Sequence, residues 1–226
     1  MRRIWHYLKH AWTTDVALTT LLVSLLTYIF ILHPVVRGGS LRFVAVVFFS
    51  LILISGAIAT MRNRIFRTFV FSWSLLTFIF MWAAYLFPHP VFVFAESGLA
   101  LVFLVLLSLL ILAQVFREGP TTSHRIMGAV AAYLLLGLTW SYIYYMIALQ
   151  VPGAFKGLEI FIEGDHEVIR LHFQYFSFSV LTTVGFGDIV PVDPIARMAV
   201  VLEGVAGQLF PAILIARLVS LHVQSK

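Results

Sequence analysis

Six apolar runs fix what this chain can become. They cover roughly Val16–Leu32, Leu41–Thr60, Thr68–Phe87, Val91–Phe116, Arg125–Gln150 and Pro194–Val223. A helix needs about 20 apolar residues to cross a hydrocarbon core ~30 Å thick, because it rises ~1.5 Å per residue. The runs are near or above that length. They are parted by His33-Pro34, Arg62-Asn63-Arg64, Pro88-His89-Pro90 and Arg117-Glu118-Gly119-Pro120. With 61% apolar and 11% charged residues, the chain lacks the polar surface a soluble core of this size would need. Lipid offers no partner to exposed backbone groups, so each run is read as a helix. The expectation is an all-α membrane protein with six transmembrane helices.

Arg2, Arg3 and Lys9 precede the first run, yet no small-residue cleavage site follows it, so it reads as a retained helix rather than a signal. Ile4, Trp5, Leu8 and Trp12 recur at helical spacing. Residues 1–14 therefore read as a cytoplasmic interfacial segment, and a disordered start fits them equally well. The absence of cysteine removes disulfides and thiolate metal sites.

Net charge is +5, which in a soluble protein would point to nucleic acid. Topology explains it better. With the amino terminus inside, Arg2, Arg3, Lys9, Arg62, Arg64, Arg67, Arg117, Arg125, Arg217 and Lys226 are cytoplasmic. Arg37, Arg42, Lys156, Arg170 and Arg197 are outside. That bias sets both termini in the cytoplasm of a multi-pass cell-membrane protein, expected in a prokaryotic plasma membrane, with no nucleic-acid partner.

The segment between the last two runs differs from the rest. Val151–Arg170 is polar and acidic, and Leu171–Leu181 is apolar but too short to cross alone. Thr182-Thr183-Val184-Gly185-Phe186-Gly187-Asp188 follows. A dehydrated cation can be held by stacked rings of backbone carbonyls. Aiming successive carbonyls at one axis requires backbone alternating between left- and right-handed regions, which Gly185 and Gly187 adopt freely. Val184 and Phe186 would pack away from the ions, and the Thr183 hydroxyl would add one more oxygen.

From Ser179 through Pro191 this segment resembles the selectivity filter of the potassium channel family, and the likeness extends more loosely over residues 123–223. The first four runs are similar to that family only in number and position. The resemblance implies a re-entrant pore helix at 171–182, a filter at 183–187 and an inner helix at 194–223. Potassium would be bound by the carbonyls of Thr183, Val184, Gly185 and Phe186 and by the Thr183 hydroxyl. Residues 15–122 would form a peripheral four-helix domain and 123–226 the pore domain. No internal repeat is evident, so a fourfold pore implies a homotetramer in membrane lipid. No catalytic residue or cofactor is expected beyond potassium in the filter.

Several positions depart from the common pattern. Phe186 stands where many members carry Tyr, Tyr175 and Phe176 where many carry Trp, and Ser179 where some carry Glu. The implied filter support is Tyr175, Ser179, Thr182 and Asp188, with Tyr175 donating to Asp188. Glu203 lies inside the last run, where a lone charge is costly. It is expected to be protonated, to bond Ser179 or Thr182 behind the filter, or to face the cavity, the second being favoured. Gly207 falls at the family's hinge position, and Pro211 removes a donor four residues later. A hinge is favoured over close packing, with Ile215 and Leu218 as a candidate constriction.

Glu159, Glu163, Asp165, Glu167, Asp188 and Asp193 either concentrate cations at the mouth or form a solvated loop, where His166 and His172 read as incidental. The fourth run contains no Lys or Arg and only Glu96, so the charged voltage sensor is missing. No ligand-binding domain is expected after Lys226. A transporter with four pore loops on one chain, a non-selective cation channel and an intramembrane enzyme are the competing readings. One intact loop, an unbroken Val-Gly-Phe-Gly and isolated acids, respectively, weigh against them.

Overall fold

In the computed structural model, residues 16–32, 42–59, 64–87, 89–116, 123–158 and 166–224 are described. The expected segment 1–14 and the acids Glu159, Glu163 and Asp165 lie outside them. Helix α1 starts at residue 16 and ends in a π-helical stretch, Thr27–Leu32. α2 (Arg42–Ala59), α3 (Arg64–Leu86), α4 (Pro90–Val115) and α5 (Ser123–Gln150) follow. α6 (His166–Leu181) precedes the filter segment, and α7 (Pro194–Gln224) follows it. Two-residue strands β1 (Phe155–Lys156) and β2 (Val190–Pro191) pair antiparallel.

Local chemistry sets these boundaries. Pro90 sits in the first turn of α4, where its missing N–H costs nothing, and His89 Nδ1 accepts from the Val91 amide at 3.3 Å. Pro194 opens α7 in the same way, and Asp193 Oδ1 accepts from the Ile195 amide at 2.8 Å. Asp193 thus caps α7. Within the helices, hydroxyls turn back to carbonyls one turn earlier, as Ser50, Ser97 and Thr139 do, so these groups are partnered inside the helix.

Among the described residues, four helices are long and apolar enough to cross a membrane: Thr68–Leu86, Pro90–Val115, Arg125–Gln150 and Pro194–Arg217. The molecule is an all-α membrane protein. Val16–Ile31 and Phe43–Ile58 are shorter apolar helices. At ~1.5 Å per residue, sixteen residues reach about 24 Å, short of a ~30 Å core, which is why they fall below the other four.

α4 packs along α5, and α5 against α6. The α2–α4 contact is close because Gly56 leaves room for Leu107. A buried core runs from Leu21, Leu25 and Phe49 through Phe103 and Leu107 to Leu135 and Leu138. A second cluster, around Tyr144, Phe155, Phe173 and Phe176, reaches Ile189, just after residues 183–187.

Candidate functional site

α6 begins at His166, five residues before the expected start of the short helix, and ends at Leu181 rather than Thr182. The polar residues His166, Arg170 and His172 therefore sit on the helix and not in a loop. Each has a partner there. Tyr145 Oη and His166 Nδ1 lie 3.0 Å apart, and His172 Nδ1 is 2.7 Å from the Val168 carbonyl.

Beyond Leu181 the backbone alternates in hand. Thr183, Gly185 and Gly187 have φ of 62°, 57° and 79°, while Val184 and Phe186 between them do not. Two of these positions are glycine; Thr183 is the only non-glycine with positive φ among the described residues. That conformation costs an L-residue roughly 1–2 kcal/mol, so the surroundings must hold it. They do so through backbone. The Thr183 amide donates to Val180 O at 2.8 Å, and the Val184 and Gly185 amides both reach Ser179 O, at 2.9 and 3.0 Å. The turn is thereby stitched onto the end of α6.

Side chains of the expected support set divide in two. The Tyr175 hydroxyl donates to the Asp188 carboxylate, and its ring stacks on Phe186 with centroids 5.8 Å apart and planes 15° from parallel. Ser179 and Thr182 instead turn their hydroxyls to their own helix, at Phe176 O (2.8 Å) and Phe178 O (2.7 Å). What Ser179 gives the filter segment is its carbonyl.

Glu203 corrects the favoured expectation. It is fully buried, and its partners are Ser177 and Tyr144, not Ser179 or Thr182. Ser177 Oγ lies 2.5 Å from Glu203 Oε1 and 2.7 Å from the Gly137 carbonyl on α5. The Tyr144 hydroxyl donates to Oε2.

Gly207 is pressed against the end of α6. A Cβ there would stand 2.2 Å from the Leu181 carbonyl oxygen. That close contact by itself requires a small residue here. The same carbonyl accepts from the Tyr133 hydroxyl at 3.2 Å. α7 continues unbroken through Pro211 and past Ile215, which is exposed; the Leu218 side chain is outside the described residues.

Two arrangements escaped sequence reasoning. Before α6, β1 hydrogen-bonds β2 just after the filter segment, and the Val192 amide donates to Ala154 O at 2.9 Å. Gly157, with φ of 91°, lies so close that a Cβ would be 1.9 Å from Asp188 O. The loop thus braces the segment's far end. Second, Glu96 is not isolated: Arg170 Nη1 bonds both its carboxylate oxygens, at 2.8 and 2.6 Å. The guanidinium lies 5.8 Å from the ring centroids of both Tyr142 and Tyr145. A partly buried ion pair thus joins α4 to α6. The signal was a solitary acid in an apolar run and an arginine at the edge of the short apolar stretch.

α5 through α7 form one module: two long apolar helices enclosing a short helix and a loop. Residues 132–224 match the model of a family described as ion channel. The protein is therefore an all-α membrane protein whose last part is similar to that family. No curated protein and no solved structure matches the chain.

Proposed function

We propose that this chain is a subunit of a potassium-selective channel, in which four copies surround one axis and conduct potassium passively. The observation that carries the reading is the alternation of positive φ at Thr183, Gly185 and Gly187, which suits carbonyls of Thr183, Val184, Gly185 and Phe186 to one ion path. The Thr183 hydroxyl extends it. Tyr175 and Asp188 brace the outer end, Ser179 and Thr182 anchor the inner end through the α6 terminus, and Glu203 holds α6 from behind.

The homotetramer is supported by what a single copy leaves open. Val184 and Phe186 are 56% and 67% exposed, although filter side chains of this kind pack away from ions. A cleft of about 360 Å³ between α1, α6 and the filter ends at these two residues. α7 likewise exposes Met198, Val201, Val205 and Leu209. Neighbouring copies and lipid cover such surfaces at little cost.

α4 has an acid fastened to α6 where a sensor would need spaced cations, which supports gating without a charged voltage sensor. In this reading the protein is not an enzyme. It is multi-pass in the cell membrane of a prokaryote, with both termini cytoplasmic and α1 and α2 completing a six-helix layout. Gly207 and Pro211 mark where α7 would bend if the pore opens at its inner end.

Purified protein in liposomes tests this directly. The reversal potential should follow the potassium gradient in mixed potassium and sodium, with weak dependence of open probability on voltage. A reversal potential indifferent to potassium refutes selectivity, and steep voltage dependence refutes the reading of α4.

A further inference from the structure

The cluster behind the filter contains one more oxygen–oxygen contact than an ionised Glu203 could satisfy. Ser177 has a single hydroxyl hydrogen, and its Oγ lies within bonding distance of both Glu203 Oε1 (2.5 Å) and Gly137 O (2.7 Å). A backbone carbonyl only accepts. A carboxylate also only accepts, so with Glu203 ionised one of these two contacts would set lone pairs against lone pairs. Tyr144 cannot supply the missing hydrogen, because its hydroxyl already donates to Oε2. Among the described residues no Lys, Arg or His pairs with this carboxyl. All three side chains are fully buried, so water is not the source.

We infer that Glu203 carries a proton on Oε1 and serves as a neutral positioning residue, the central link of a hydrogen-bonded clasp joining α7, α6 and α5. Its O–H donates to Ser177 Oγ, Ser177 donates to Gly137 O, and Tyr144 donates to Oε2. Every polar atom is then satisfied, which a buried network requires if it is to rigidify its surroundings. Glu203 lies one turn before Gly207, where α7 touches the end of α6. Ser177 lies two residues before Ser179, whose carbonyl holds the filter amides. The clasp thus fixes α6 against both long helices at the level from which the filter is hung. It adds no charge to the ion path and touches no potassium-binding oxygen.

The inference rests on the channel reading for its consequence, while its chemistry is measured separately. Infrared spectra of the purified protein in lipid should show a protonated carboxyl C=O band that persists when bulk carboxylates are ionised and vanishes in Glu203→Gln. Glutamine can copy the clasp, since its amide donates to Ser177 and its oxygen accepts from Tyr144. Open bursts should shorten about tenfold or more in Glu203→Ala, which removes both hydrogen bonds of the carboxyl, and be restored by Glu203→Gln. Should Glu203→Ala not fold, Ser177→Ala supplies the broken clasp and should shorten bursts in the same sense. A wild-type spectrum without that band overturns the proposal. So does a Glu203→Gln channel as impaired as the broken clasp, the result expected of a working negative charge. A channel with the band but no potassium selectivity would refute the proposed function and leave the clasp standing.

Discussion

Replacing Gly157 with alanine should loosen the outer end of the filter from twenty-eight residues upstream of Gly185. The new Cβ would lie 1.9 Å from the Asp188 carbonyl oxygen, 3.0 Å from its carbon and 3.2 Å from Ile189 Cα. All three are backbone atoms, so no side chain can swing aside. A tolerable C···O contact is ~3.3 Å, so the loop and the post-filter segment must part by about 1.4 Å. Gly157 also has φ of 91°, where a side chain costs about 1–3 kcal/mol. Overpacking adds about 1–3 kcal/mol, giving roughly 2–6 kcal/mol per subunit. The two-residue β1–β2 pairing is too short to resist that load, since each backbone hydrogen bond contributes ~0.5–1.5 kcal/mol.

A neighbouring glycine supplies the control. Gly153 has nearly the same φ, 81°, but a Cβ there meets nothing within 4 Å. Gly153→Ala therefore carries backbone strain without any push on Asp188. The measurement is single-channel open duration in lipid bilayers at low and high external potassium, with thermal stability recorded alongside. Both variants should lose stability, but only Gly157→Ala should shorten openings, and raised potassium should partly restore them. Equal effects of the two substitutions on openings would refute the bracing argument, as would unaltered openings in Gly157→Ala.

Arg170→Ala strands the buried Glu96 carboxylate and should destabilise the protein by about 3 kcal/mol, whereas Glu96→Ala leaves a partly exposed Arg170 and should cost less. The double variant should cost less than the sum, which thermal unfolding in detergent will show as a positive coupling. Gly207→Ala brings a Cβ to 2.2 Å from Leu181 O and should impair channel assembly or conduction even where the helix itself remains intact; a variant with wild-type openings and stability would refute the close contact. Tyr175→Phe removes the hydroxyl bonded to Asp188 and should cost about 1 kcal/mol, read as a lower melting temperature with the reversal potential unchanged.

What could be read from sequence follows from how local each piece of chemistry is. The filter segment is legible because its requirement, small or hydroxyl residues alternating along five consecutive positions, is written in those positions alone. Tyr175 and Asp188 are close enough in sequence for a short helix and one turn to bring them together. Membrane helices are legible because lipid imposes length and apolarity on each one separately. The brace and the clasp are not, since Gly157 acquires meaning only when Asp188 is laid against it. Glu203 needs Ser177 and Tyr144, which lie on two other helices.

The α4–α6 pair shows where a stricter argument from sequence could have gone further. Glu96 and Arg170 are 74 residues apart, and separately each reads as a lone anomaly or a loop charge. An ionised side chain in an apolar helix must find a counter-charge, or the helix does not stay there. Glu96 is the one charged residue of α4, so the obligation to find a cation rests wholly on another element. Arg170 stands next to the short apolar stretch that cannot cross the membrane, and is thus a cation already committed to the protein interior. Pairing them would have placed α4 against α6 before any coordinates. It would also have turned the lack of Lys and Arg in α4 into a positive statement: the one charge of that helix is bonded to α6.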